Sequence, residues 1–79
     1  MTVKEVNAEI ISIISEAIQP NFEITLDTHL VKELGLTSVE TMMLVSDLED
    51  RFSVDVPGKL LRNVWTVQDL CNVIISCLA

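Results

Sequence analysis

Apolar positions recur at spacings of three and four over the first stretch of the chain. Val3, Val6, Ile10, Ile13, Ile14 and Ala17 share one helical face, which predicts a helix from Val3 to about Ile18. Thr2 precedes it, and Glu5 follows three residues later as a capping-box partner. Gln19-Pro20-Asn21 stops it. From Asn21 to Leu36 the periodicity lapses. Phe22, Ile24, Leu26, Leu30, Val31 and Leu34 are irregularly spaced, which predicts a long ordered loop pinned to a core by these side chains. "DTHLVKEL" suits a helical turn within it, and Gly35 suits a break at positive φ. "FEITL" alternates but has no evident partner strand.

The helical period returns at Ser38 and runs to Phe52. Thr37 and Glu40 form a second T-x-x-E box. Leu44, Val45, Leu48 and Phe52 make the face expected to be buried, with Thr41 at its middle. Val39, Met43, Ser46 and Asp50 lie opposite, and Met42 sits at the margin. "SVDVP" and Gly58 break the chain, and "GKLLRNV" has room for one short helix. Thr66 and Asp69 form a third box. Trp65 and Leu70 are placed as a hydrophobic staple across it. The last helix is expected to bury Val67, Leu70, Ile74, Cys77 and Leu78. These elements predict an all-α fold: a small four-helix bundle of three main helices and one short one, with a long first loop, as one domain over residues 1–79.

Composition narrows the chemistry. With 49% hydrophobic and 4% aromatic residues, the core must be aliphatic. A domain of this size buries only about 60% of its unfolded surface, which leaves little volume for a deep catalytic cleft. The formal charge is −7, and Lys4, Lys32, Arg51, Lys59 and Arg62 form no run. Nucleic acid and anionic membranes would repel such a chain, and basic protein surfaces would attract it. No stretch reaches the roughly 20 apolar residues of a membrane helix, and the N-terminus lacks a signal-peptide layout, so a cytoplasmic monomer is expected. Cys71 and Cys77 are six residues apart on one helix, about 9 Å along its axis, beyond disulfide reach. They read as small buried hydrophobes.

Ser38 opens the second helix, where free N–H groups and the positive end of the helix dipole converge. An anion attached there would be stabilised, although serine is also common at such positions for purely structural reasons. Nucleophilic catalysis needs a base, and the single histidine, His29, fits better as a loop residue making local hydrogen bonds. One His and two core Cys supply no metal set. Val39 and Met43, ringed by Glu40, Asp47 and Asp50, have the composition of a docking patch.

The segments "THLVKELGLTSVETMMLVSDLEDRFSVDVP" and "WTVQDLCNVI" together resemble the acyl carrier protein family over nearly the full length. The resemblance rests on Gly35, Leu36, Thr37, Ser38 and Val39, on Glu49, Asp50 and Phe52, and on Pro57, Thr66 and Val67. It implies a four-helix bundle without catalysis of its own. It implies 4′-phosphopantetheine, transferred from coenzyme A to Ser38 by a phosphopantetheinyl transferase, carrying acyl thioesters between enzymes of fatty-acid, polyketide or related lipid biosynthesis. It also implies docking of acyl-transfer and synthase enzymes through basic patches onto Glu40, Asp47, Glu49 and Asp50. Two departures stand out. Thr37 replaces the family's usual Asp, keeping the cap but losing the charge beside Ser38. Met43 stands where many members have an acid, which makes recognition more apolar. An aminoacyl or peptidyl carrier and an unmodified acidic interaction module are the alternatives, with a serine hydrolase behind both.

Overall fold

The computed structural model describes residues 2–78. Its elements are α1 (Val3–Ile18), α2 (Ser38–Phe52), a short 3-10 helix (Gly58–Leu61) and α3 (Val67–Leu78). All three α-helices start on a reciprocal box. Glu5 N–H donates to Thr2 Oγ1 at 3.2 Å, and Thr2 N–H donates to Glu5 Oε1 at 3.0 Å. Glu40 N–H donates to Thr37 Oγ1, and Thr37 N–H to Glu40 Oε1, both at 3.1 Å. Asp69 N–H donates to Thr66 Oγ1 at 3.2 Å, while Asp69 Oδ2 accepts from Thr66 N–H and Trp65 N–H at 3.0 Å each. The expected starts follow from this chemistry, because each box satisfies N–H groups that a helix leaves orphaned. Gln19 and Ser53 close α1 and α2 in the left-handed conformation, at φ 52° and 55°.

The core is aliphatic, as the composition requires. Val6, Ile10 and Ile14 of α1 meet Leu44, Val45, Leu48 and Phe52 of α2 and Val67, Leu70, Cys71 and Ile74 of α3. Full burial of each such side chain contributes roughly 1.5–3 kcal/mol. Ile24, Leu30 and Leu36 add the first loop to this core. The loop is also stitched to the start of α3 through the backbone. Leu30 N–H donates to Trp65 O at 2.8 Å, Val67 N–H to Thr28 O at 3.0 Å and Gln68 N–H to Leu26 O at 2.8 Å. His29 and Thr66 form an isolated antiparallel bridge, and no longer strand occurs among the described residues. The helical turn in "DTHLVKEL" is present, with Glu33 and Leu34 N–H both donating to His29 O. Gly35 follows at φ 68°.

Several side chains expected inside lie outside. Val3 is exposed, because it belongs to the first turn, ahead of the packed seam that begins at Val6. Ala17 is exposed in the last turn of α1, beside Asp47. Phe22 and Val31 are exposed, so Ile24, Leu30 and Leu36 do the pinning, with Leu26 and Leu34 partly buried against the core. Leu78 is exposed and Cys77 only half-buried, since the final turn of α3 extends beyond the packed faces. Cys71 is fully buried, and burial pushes its thiol up to about 11. Trp65, expected to staple onto Leu70, is 53% exposed and lies against the His29 ring.

Candidate functional site

The N-terminus of α2 brings the predicted residues together. Gly35 at positive φ turns the chain, Leu36 anchors in the core, and Thr37 in extended conformation caps the helix. Ser38, next in sequence, is exposed at the first helical position. The Thr37 and Glu40 N–H groups are engaged within the box. Ser38 and Val39 N–H, at the first two helical positions, have no carbonyl of their own helix to donate to. An anionic group on the Ser38 hydroxyl therefore meets free donors and the positive end of the dipole.

Ser38 opens onto a groove of about 530 Å³ between α2, the first loop and the 3-10 helix. Thr41, Met42, Leu61, Val64, Arg62 and Trp65 are among its walls. Thr41, expected at the middle of the buried face, is half-buried beside this groove, and its hydroxyl donates to Thr37 O at 2.9 Å. Arg62 brings a cation to the Ser38 side of an otherwise acidic molecule. The space, the free N–H groups and the cation suit a phosphodiester-linked arm on Ser38.

The outer face of α2 is more apolar than its acids suggest. Val39, Met42 and Met43 are 69%, 65% and 64% exposed. Met42, placed at the margin by the helical wheel, is as exposed as Met43. The two methionines point to different sides. Met42 lines the Ser38 groove, whereas Met43, with Glu40 and Asp47, lines a smaller cleft of about 170 Å³ against Ala17 and Ile18 of α1. The expected acids differ in how free they are. Asp47 and Asp50 are exposed. Glu40 also serves the cap, and Glu49 is half-buried with its Oε2 accepting from Val56 N–H at 2.8 Å. Sequence reasoning did not assign Met42, Arg62 or Trp65 to the site. Met42 had a signal in its i, i+3 spacing from Val39, but Arg62 and Trp65 reach the site through tertiary contacts that no local pattern encodes.

His29 stands apart from Ser38 as a local structural residue. Its Nδ1 accepts from Val31 N–H at 3.2 Å and Lys32 N–H at 3.0 Å, and the His29 backbone N–H donates to Glu33 Oε1 at 2.8 Å. Among the described residues no His, Cys, Asp and Glu cluster could hold a metal ion, and no helix is long and apolar enough to cross a membrane.

Residues 8–74 match the family described as "phosphopantetheine attachment site". An acyl carrier protein of Exiguobacterium sibiricum is 35% identical over 75 residues, covering 94% of this chain and 95% of that protein. Among solved structures, an acyl carrier protein of Thermotoga maritima superposes with a TM-score of 0.78 at 27% identity, covering 96% of this chain and 89% of that one. A Mycobacterium tuberculosis protein provisionally assigned as an acyl carrier protein gives 0.82 at 25% identity, covering 90% and 96%. With the helical bundle and the exposed serine opening α2, these likenesses show that the chain belongs to the acyl carrier protein family, whose members bear acyl groups on covalently attached 4′-phosphopantetheine.

Proposed function

We propose that Ser38 is the attachment point of the 4′-phosphopantetheine arm, and that residues 1–79 act as one carrier unit without catalysis of their own. The observation that carries this reading is the exposed Ser38 hydroxyl at the first position of α2, opening onto a largely apolar groove of about 530 Å³. When bound, the arm supplies a terminal thiol for acyl thioesters. The protein's own residues do the holding. Thr37 and its box with Glu40 keep the helix start rigid. The N–H groups of Ser38 and Val39 would hold the arm's phosphate, and Arg62, which lines the same groove, would offset its charge.

Docking of a phosphopantetheinyl transferase and of acyl-transfer and synthase enzymes is assigned to Val39, Glu40, Met43, Asp47, Glu49 and Asp50. The exposed apolar ridge and the flanking acids support this, with Met42 as an addition. Glu49 contributes mainly through charge, because its carboxylate also holds the loop after α2. The carrier works as a cytoplasmic monomer in fatty-acid, polyketide or related lipid biosynthesis. Intact mass after incubation with coenzyme A and a promiscuous transferase tests the reading. Wild type gains one arm and Ser38→Ala gains none. A modified alanine variant would overturn the site.

A further inference from the structure

Glu40, Met43 and Asp47 form one stripe along α2, at spacings of three and four. That stripe borders the cleft of about 170 Å³ whose other side is Ala17 and Ile18, in the last turn of α1. Buried Leu44 and partly buried Ile18 make its lining apolar, while Ala17 and Met43 are exposed beside its opening. Its two carboxylates, Glu40 and Asp47, stand about 10 Å apart along the helix axis. No cation lines it. Glu40 gives Oε1 to the Thr37 N–H, and among the described residues Asp47 takes part in no ion pair. An adjoining depression shares Ala17 and Asp47 and adds Glu16 and Arg51. Arg51 does not offset these acids fully, because its guanidinium is engaged by Glu9 at 3.3 Å.

We propose that the docking surface crosses from α2 onto α1, and that this cleft takes one long basic side chain, an arginine or a lysine, of the phosphopantetheinyl transferase. The inference rests on the α2 docking surface proposed above and gives it a second wall. The chemistry of the cleft selects the occupant. An apolar side chain entering it would strip water from Glu40 and Asp47 and give them no partner, which is unfavourable. A short cation would meet the acids and leave the apolar lining uncovered. A long basic side chain does both, with its stem against Ile18, Leu44 and Met43 and its charge between the two carboxylates. The site also fixes the register of the partner. Glu40 is boxed with Thr37, so one border of the cleft is held to the same helix start that presents Ser38. The scattered acids of α2 attract a basic partner from any side, whereas a single side chain between α1 and α2 sets where that partner stands relative to the serine.

The experiment measures binding of the full chain to a promiscuous phosphopantetheinyl transferase, in a Ser38→Ala background so that turnover does not consume the complex. Ala17→Leu fills the cleft from the α1 side without changing net charge. It should weaken binding by about tenfold or more, mainly through faster dissociation. Ser12→Leu adds the same side chain to an exposed position of α1 that borders neither depression, and it should bind like the parent. A further measurement needs no substitution on α1. Saturation transferred from the transferase to a deuterated, methyl-labelled chain should reach the methyls of Ala17 and Ile18 as well as that of Met43. Ala17→Leu binding as tightly as the parent overturns the inference. So does Ser12→Leu weakening binding as much as Ala17→Leu, or saturation that reaches Met43 but neither Ala17 nor Ile18. Replacing Asp47 and Asp50 together by Lys tells the two readings apart. If that change weakens binding while Ala17→Leu does not, only the α1 wall is lost. If neither change weakens binding, the α2 docking surface falls and this inference falls with it.

Discussion

Thr37 is the residue on which stability and site geometry meet. Its hydroxyl accepts the Glu40 N–H and its extended backbone sets where α2 begins, which makes Ser38 the first helical residue. Thr37→Ala should cost about 1 kcal/mol, because a capping acceptor is lost from an orphan N–H. Thr37→Asp should retain the stability, since aspartate caps equally well and adds a negative charge at the positive end of the dipole. Urea midpoints of the three proteins check this, and an unchanged midpoint for the alanine variant would remove the cap from the account. Ser38→Ala should match wild type in the same melts, because the Ser38 side chain is exposed and caps nothing. Position 37 was legible in the sequence as a cap because a T-x-x-E box is entirely local. The surroundings of Trp65 were not. Its partner is His29, far away in the chain, and the nearer rule that pairs it with Leu70 lost to that long-range contact.

The helices show the same division between local and tertiary information. α1 and α2 begin and end where the sequence pattern puts them, because boxes start both and a left-handed residue closes each. The inner faces of Leu44, Leu48, Leu70 and Ile74 also follow from periodicity. The ends of those faces do not, since Val3 and Leu78 continue the pattern beyond the point where a neighbouring helix remains to cover them. The α3 box makes an acid-dependence prediction. Asp69 is held below the usual range by accepting the Trp65 and Thr66 N–H groups, so its folded carboxyl lies lower than its unfolded one. A depressed carboxyl stabilises the fold above its unfolded pKa of about 4, and the contribution is lost as pH falls through the folded value. Wild type should therefore lose stability from pH 7 down to about pH 3, and Asp69→Asn should lose less over the same interval. Parallel losses in the two proteins, measured by urea melts at both pH values, would remove Asp69 from the acid response. In the interior, Leu48→Ala should cost about 2–5 kcal/mol, since Leu48 is fully buried among all three helices. Against a total of roughly 4–12 kcal/mol for a chain of this length, that substitution leaves a marginal or unfolded protein.

At the scale of the whole molecule, the proposed docking surface divides its work between charge and apolar contact. The net charge of −7 produces a long-range field. Arg51 is already paired with Glu9 at 3.3 Å, in an exposed contact worth little to stability, which leaves Asp47 and Asp50 prominent on the α2 surface. Attraction between such a surface and a basic patch acts during approach, raises the association rate and fades as salt screens it. Val39, Met42 and Met43, all exposed, would act only at contact in the proposed complex, where burying them resists separation. Replacing Asp47 and Asp50 together by Lys should therefore slow association with a phosphopantetheinyl transferase and flatten its dependence on ionic strength. Met43→Ala should leave association nearly unchanged and speed dissociation. Neither change should alter the fold, because all of these side chains lie outside the core. Stopped-flow binding at two ionic strengths, with far-ultraviolet circular dichroism of each variant, separates the two contributions. Wild-type association that ignores salt, or a charge-reversed variant that docks as fast as wild type, would refute electrostatic steering. A Met43→Ala complex that dissociates no faster than wild type would remove the cleft against α1 from the interface, leaving Val39 and the Met42 side of the ridge, next to Ser38, as the apolar contact.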